Sequence, residues 1–212
     1  AFSILNAFLR DVYYTEKSVI KETEADLVIN SKKFRRLARS VNAKMLLMKE
    51  INEVDEAEVF LAGKKLVYFI NTKGQPTASQ TARLLAAQSS RSGRRILICD
   101  VSNQSSKEVE GMRIKDISEI SVIEAEGGFD ILKECNGTSF FTSTNFKNTI
   151  TKLLSSYDQV YISSDYQKSI ACLIALKPFD PSLVVLSRLR KTTKASIRKI
   201  VSMHPVSILL HD

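Results

Sequence analysis

The sequence predicts an α/β fold in which a doubly wound, mainly parallel sheet is flanked by helices. Its apolar runs are continuous rather than alternating, helical patterns separate them, and polar turns follow several of them. Strands that helices cover on both faces need such continuous apolar runs. Ligands of these folds bind beyond the carboxyl ends of the strands, so the turns at those ends are the places to examine.

The chain of 212 residues is long enough for one large domain with a short appendage. Strands are predicted at 66–70, 96–99, 120–123, 160–162, 183–186 and 206–210, and helices at 81–92, 146–154, 170–174 and 195–202. Gly93 is placed to end the first of these helices. Residues 1–62 carry charge-rich helical patterns and are predicted as a helical appendage to an α/β domain at 63–212.

A formal net charge of +8 indicates a polyanionic partner. Two basic clusters make up the predicted basic surface: Lys32, Lys33, Arg35, Arg36 and Arg39, and then Arg188, Arg190, Lys191, Lys194, Arg198 and Lys199. Trp is absent, and most Tyr and Phe fall in strand-like or amphipathic runs, which disfavours nucleic acid because single-strand binders stack bases on exposed aromatics. The anionic inner leaflet of a membrane is the favoured polyanion, with a solvated face as an equal alternative.

Metal and disulfide chemistry are not expected. The three cysteines are far apart, and the two histidines lie near the C-terminus without Cys or carboxylate neighbours at ligand spacing. A reduced compartment fits this cysteine usage. No apolar run approaches the roughly 20 residues of a membrane span. The apolar start of the chain, at an Ala rather than a Met, suggests a cut just after something hydrophobic.

Residues 66–86, LVYFINTKGQPTASQTARLLA, have strand, polar turn and helix in the order of a phosphate-binding loop. In such loops backbone N–H groups surround the phosphates, a lysine faces the outer phosphate charges and a hydroxyl holds magnesium. The next apolar run arrives on schedule in SGRRILICDVSNQ, where it follows a basic pair and ends at Asp100.

These segments resemble the cytoplasmic tyrosine-kinase domain of bacterial polysaccharide co-polymerases, which is related to the MinD and ParA type of P-loop ATPases. The resemblance runs from about Lys64 to the end. It rests on INTKG (70–74), RRILICD (94–100), YDQVYI (157–162) and the closing DPSLVVLSRLRKTTKASIRKI. The opening AFLRDVYYTEKSV is similar to the segment after the family's second membrane span, which implies a fragment of a membrane protein at the cytoplasmic face of the bacterial inner membrane.

The chain departs from the family at its nucleotide motifs. The family's Gly-Lys-Thr-Thr is aligned with four residues here, so that an alanine replaces the lysine: Thr77, Ala78, Ser79 and Gln80. Gly74 is the one glycine left in the loop. Asp100 matches the first acidic residue of the second motif, but Ser102 replaces the next one and Ser163 replaces the aspartate of the third. The family's terminal tyrosine cluster is absent from the sequence, which ends at Asp212.

Together these departures favour a non-catalytic, kinase-like domain that regulates the chain length and export of exopolysaccharide or lipopolysaccharide. It would self-associate or bind other polysaccharide-synthesis proteins, with no cofactor. The alternative is an atypical tyrosine kinase or partitioning-type ATPase that binds ATP and magnesium, with Lys73 in place of the missing lysine and Ser79 on the metal. A basic nucleic-acid-binding module is the second alternative.

Overall fold

The computed structural model describes residues 16–30, 52–72, 78–101, 113–117, 120–125, 127–132, 139–143, 145–187 and 192–211 of the chain. The helices are α1 (Glu16–Thr23), α2 (Asn52–Leu61), α3 (Ala78–Arg91), α4 (Ser139–Thr142), α5 (Phe146–Ser156), α6 (Tyr166–Leu176) and α7 (Lys194–Val201), with a 3-10 turn at Lys177–Phe179. The strands are β1 (Leu27–Asn30), β2 (Leu66–Asn71), β3 (Ile96–Asp100), β4 (Arg113–Ile117), β5 (Ile120–Glu124), β6 (Asp130–Leu132), β7 (Gln159–Ser164), β8 (Ser182–Ser187) and β9 (Ile208–His211).

All of these strands form one sheet, in the order β1-β9-β8-β2-β7-β3-β6-β5-β4. In this order, the strands from β1 across the sheet to β6 pair in parallel with their neighbours. Strand β5 pairs antiparallel with both β6 and β4. Strands β3 and β7 lie on one side of β2. The chain then crosses over β2, so that β8 and β9 lie on its other side. This reversal is the feature that opens a crevice at the carboxyl edge of an α/β sheet.

The central strands are buried along their whole length because helices cover both faces of the sheet. All residues of β2, β3, β7 and β8 are buried. Alternate residues of β2 enter two separate cores: Tyr68 packs with side chains of α5, α6 and α7, and Phe69 with those of α2 and α3. Phe69 also packs against Tyr161 of β7, with ring centroids 5.3 Å apart.

The predicted fold class, an α/β fold with a mainly parallel sheet between helices, is confirmed. The helix predicted at 81–92 is α3, and Gly93 follows it with φ +80, the left-handed conformation that lets glycine end a helix. The sequence analysis missed β4 and β6 and did not foresee that β5 is antiparallel. These strands are short and lie towards one side of the sheet, where their apolar runs are brief.

Residues 1–62 were predicted as a helical appendage, but the described part of this segment also contains a strand. Residues 27–30 form β1, which pairs in parallel with β9 and extends the sheet at one edge. Four residues give too short a pattern to distinguish a strand from part of a helix. Whether 62/63 is a true domain boundary stays a prediction. Among the described helices, none is both long enough and apolar enough to cross a membrane.

Helix α1 packs against α7, and one ion pair links them across the surface. Nε of Arg198 lies 2.5 Å from a carboxylate oxygen of Glu22. This contact lowers the pKa of Glu22 below its ordinary value, chiefly through the hydrogen bond from Arg198. The pair therefore favours the folded state only while Glu22 is ionised.

We predict that Glu22→Gln lowers the free energy of unfolding by less than about 1 kcal/mol at neutral pH, because the pair is partly exposed. The folded pKa lies below the unfolded one, so the contribution is complete above the ordinary pKa of 4.5 and is lost as the pH falls through the folded value. Thermal unfolding at pH 7 and at pH 3 would test this. An equal difference between wild type and variant at both pH values would contradict it.

Candidate functional site

The carboxyl ends of β2, β3, β7 and β8 meet at one edge of the sheet, at the crevice where the chain reverses. The register places Asp100 of β3 beside Ser163 of β7, and Asn71 of β2 beside Leu186 of β8. Helix α3 begins at the same edge, with six residues between its first residue and Asn71, where β2 ends. Polar residues from distant parts of the sequence are therefore gathered where ligands of this fold class bind.

Asp100 is the centre of this edge. Its carboxyl group is only 3% exposed, and each of its oxygens accepts a hydrogen bond from a serine. Ser79, in the first turn of α3, donates to Oδ2, and Ser163, at the end of β7, donates to Oδ1 over 3.2 Å. A buried carboxyl group is tolerated only when its oxygens are satisfied, so this bridge fixes the start of α3 against β3 and β7.

Ala78, which the resemblance aligns with the family's lysine, is 1% exposed and belongs to the apolar core beneath α3. Its core neighbours include Ala82 and Leu85 of the same helix. The position thus faces the sheet and supplies no charge to the crevice. Gln80, which is also in the first turn of α3, is half-buried.

Lys168 is a cation at this edge that the sequence analysis missed. It lies in the first turn of α6, and its Nζ donates to the carbonyl of Val101, 2.9 Å away, just beyond the end of β3. The same ammonium group lies 3.9 Å from a carboxylate oxygen of Asp165, the N-cap of α6. Its position could not be found from the sequence, because no motif spacing links residue 168 to β3.

A second group of hydroxyls joins β2 to β8 on the other side of the crevice. The hydroxyl of Thr72 donates to the carbonyl of Leu186 over 2.8 Å and lies 2.8 Å from the hydroxyl of Thr192. The hydroxyl of Thr192 also accepts a hydrogen bond from the hydroxyl of Ser187 over 3.3 Å. All three hydroxyl-bearing residues are buried. Thr193 then caps α7 by accepting from the N–H of Ser196. These contacts hold the end of β8 to β2.

Beneath the edge, the hydroxyl of Tyr68 lies 2.6 Å from that of Ser164 and donates to the carbonyl of Ser169. Burial raises the pKa of Tyr68 well above its ordinary value, so this phenol stays protonated. Burial also raises the pKa of the neighbouring Cys172 thiol to about 12. A thiol with that pKa is a poor nucleophile at neutral pH, so this layer supports the site and adds no reactive group.

The described part of the chain contains only some of the predicted site residues. Ala78, Ser79, Asp100 and Ser163 lie at one edge of the sheet, and Gln80 follows in α3. Four predicted positions lie outside the described residues: Lys73, Gly74, Thr77 and Ser102. Of the predicted basic surface, α7 carries Lys194, Arg198 and Lys199, whereas Lys32, Lys33, Arg35, Arg36, Arg39, Arg188, Arg190 and Lys191 are also outside the described residues.

Among the described residues, the arrangement fits the metal-binding half of magnesium–nucleotide chemistry. A hydroxyl and a carboxyl group, from Ser79 and Asp100, are the oxygen donors that Mg²⁺ accepts. The lysine charge that would face the phosphates is replaced by the buried methyl group of Ala78. No group of three His, Cys, Asp or Glu side chains able to hold a metal occurs among the described residues.

The reversal of strand order defines a doubly wound α/β fold, and comparison with solved structures finds the same fold in bacterial tyrosine kinase domains. The BceF tyrosine kinase domain superposes with a TM-score of 0.67 at 12% identity, covering 94% of this chain and 98% of the BceF chain. The chimerical protein CapA2B2 gives 0.62 at 13% identity, covering 93% and 98%. The kinase domain of the Escherichia coli tyrosine kinase ETK gives 0.54 at 10% identity, covering 90% and 92%. At these identities the likeness establishes a shared fold.

No protein-family model matches the chain, and no curated protein matches it in sequence. The structural neighbours are therefore the comparison that shows which solved structures this chain is similar to. They confirm the resemblance to bacterial tyrosine kinase domains that the strand and turn patterns predict.

We predict that Ser163→Ala lowers the free energy of unfolding by about 1–3 kcal/mol, because it removes a hydrogen-bond donor to a buried carboxyl group. Urea denaturation would measure the loss. Ser155→Ala is the matched control, since its hydroxyl bonds a carbonyl on the exposed surface of α5, and it should change stability by less than about 0.5 kcal/mol. Equal effects of the two variants would contradict the role given to Asp100.

Proposed function

We propose that this chain is a non-catalytic, kinase-like domain of a membrane protein that regulates the chain length and export of exopolysaccharide or lipopolysaccharide. One observation carries the proposal: Ala78, aligned with the phosphate-facing lysine, is buried in the apolar core instead of lining the crevice. The tyrosine-kinase fold of the neighbours supplies the class. The domain would act through its shape rather than through phosphoryl transfer.

The electrostatics of the edge support this proposal. Phosphoryl transfer requires fixed positive charge against the developing charge of the transferred group. The family's lysine position holds a methyl group, and its third acidic position holds the neutral Ser163, whose hydroxyl bonds Asp100. Ser79 and Asp100 could hold magnesium, but each is already satisfied within the protein. The hydrogen bonds among Ser79, Asp100 and Ser163 join α3, β3 and β7 without a nucleotide.

A titration with ATP and magnesium tests this proposal directly. We expect no saturable binding at micromolar nucleotide and no incorporation of labelled phosphate into tyrosine. Micromolar affinity together with phosphorylation would show instead the atypical kinase or ATPase. In that case Lys73→Ala should abolish binding, with Lys64→Ala, at an exposed position before β2, as the matched control.

The cellular role needs a separate readout. In the source organism, we expect deletion of this domain to change the length distribution of the exported polysaccharide. Lys73→Ala should leave that distribution as in wild type, because no phosphate chemistry is required. A polysaccharide unchanged by the deletion would contradict the proposed role.

We further propose that the domain works at the cytoplasmic face of the inner membrane, where it self-associates or binds other synthesis proteins with its basic groups towards the anionic leaflet. Support comes from the net charge of +8 and from α7, whose outer face carries exposed Arg198 and Lys199. Arg198 is partly neutralised by Glu22, so Lys194 and Lys199 carry the attraction in this helix.

Vesicle sedimentation would test the membrane-facing surface. The protein should bind phosphatidylcholine vesicles only when they contain phosphatidylglycerol, and salt should weaken the binding. The double variant Lys194→Gln/Lys199→Gln should bind about thirtyfold more weakly, at about 1 kcal/mol per lysine. Lys147→Gln/Lys152→Gln removes the same charge from the exposed face of α5 and serves as the control. An equal loss in both double variants would contradict a role specific to α7, and preferential binding to DNA or RNA would favour the nucleic-acid alternative.

A further inference from the structure

Lys168 is half-buried, whereas most of the other described lysines are exposed. Its side chain is only 20% exposed, whereas Lys147, Lys177 and Lys199 are exposed at the surface. Lysine loses much side-chain entropy when it is immobilised and is rarely buried unless its ammonium group is paired. The contacts of Lys168 must therefore compensate for this cost.

Those contacts join three elements of the sheet edge. The ammonium group donates to the carbonyl of Val101, and the N–H of Val101 donates to the carbonyl of Ser163 over 2.9 Å. At the other end of Lys168, its own backbone N–H donates to Asp165 Oδ1, the N-cap of α6. Val101 is thus tied to β7 through its N–H and to α6 through its carbonyl.

This chain of bonds is continuous with the bridge at Asp100. Asp100 connects the start of α3 to Ser163, and Ser163 connects through Val101 to Lys168. The linked set runs from α3 across β3 and β7 to α6, all at the carboxyl edge.

We propose that Lys168 is a tethered cation that clamps β3 to α6, so that the carboxyl edge keeps one arrangement without any ligand. The inference rests on the proposed non-catalytic function and deepens it: a domain that works by its shape needs an edge whose structure is independent of nucleotide. The clamp depends on the donor at the end of the side chain, because it is the ammonium group that bonds Val101 and lies near Asp165.

Site-resolved amide hydrogen exchange by NMR would test the clamp. In Lys168→Met, the amides of residues 101 and 168 should exchange about tenfold faster, as expected for opening of a local unit. The amide of Ser207, which bonds Leu183 at the opposite edge, should change by less than about twofold. Lys168→Arg keeps a cationic donor and should retain most of the protection.

Lys65→Met is the matched control. The ammonium group of Lys65 also bonds backbone carbonyls, those of Leu154 and Tyr157, but at the amino edge of the sheet. Its loss should leave exchange at residues 101 and 168 unchanged. Unchanged exchange in Lys168→Met, or a uniform increase over the whole sheet, would overturn the proposal.

The result is independent of the nucleotide experiment. If the wild type binds ATP and transfers phosphate, the non-catalytic function fails, yet the exchange data still decide whether Lys168 clamps the edge. If nucleotide does not bind and exchange in Lys168→Met is unaltered, the function stands and the clamp is wrong.

Discussion

The structure depends on how one buried carboxyl group is satisfied. Asp100 ends a strand in the middle of the sheet, with helices on both faces, where water cannot reach its oxygens. Ser79 and Ser163 supply the hydrogen bonds that burial demands, and in doing so they fix the start of α3 and the end of β7. The resemblance aligns the same residues with nucleotide-binding motifs, so under the proposed function the structural bridge uses atoms at the positions of those motifs.

Under the proposed function, this overlap gives a physical account of how the carboxyl edge keeps its structure without phosphate chemistry. The lysine position can become a buried alanine without loss of stability, because α3 then gains an apolar contact with the sheet. The aspartate cannot be lost as easily, because two buried hydroxyls depend on it. Selection for fold alone would therefore keep Asp100 and Ser79 while the charge that faces phosphate disappears.

The sequence predicted most of the strands of the sheet and indicated its carboxyl edge as the place to look for a site. The continuous apolar runs of β2, β3, β7 and β8 were recognisable because both of their faces are covered. The short strands β1, β4 and β6 were not, since a pattern of three to five residues does not separate strand from helix. Resemblance to the kinase motifs aligned Ser79, Asp100 and Ser163 as candidates before their contacts were known.

The sequence by itself determined the α/β class and indicated the carboxyl edge as the place to look for a site, and its resemblance to the family aligned Ala78 with a lysine. All of these follow from local patterns of apolarity and from residue identity. Only the tertiary structure decided that Ser79 and Ser163 share one carboxyl group and that Lys168 reaches the end of β3. These contacts join residues 21 to 67 positions apart, and the parallel register of the sheet, rather than any local spacing, brings them together.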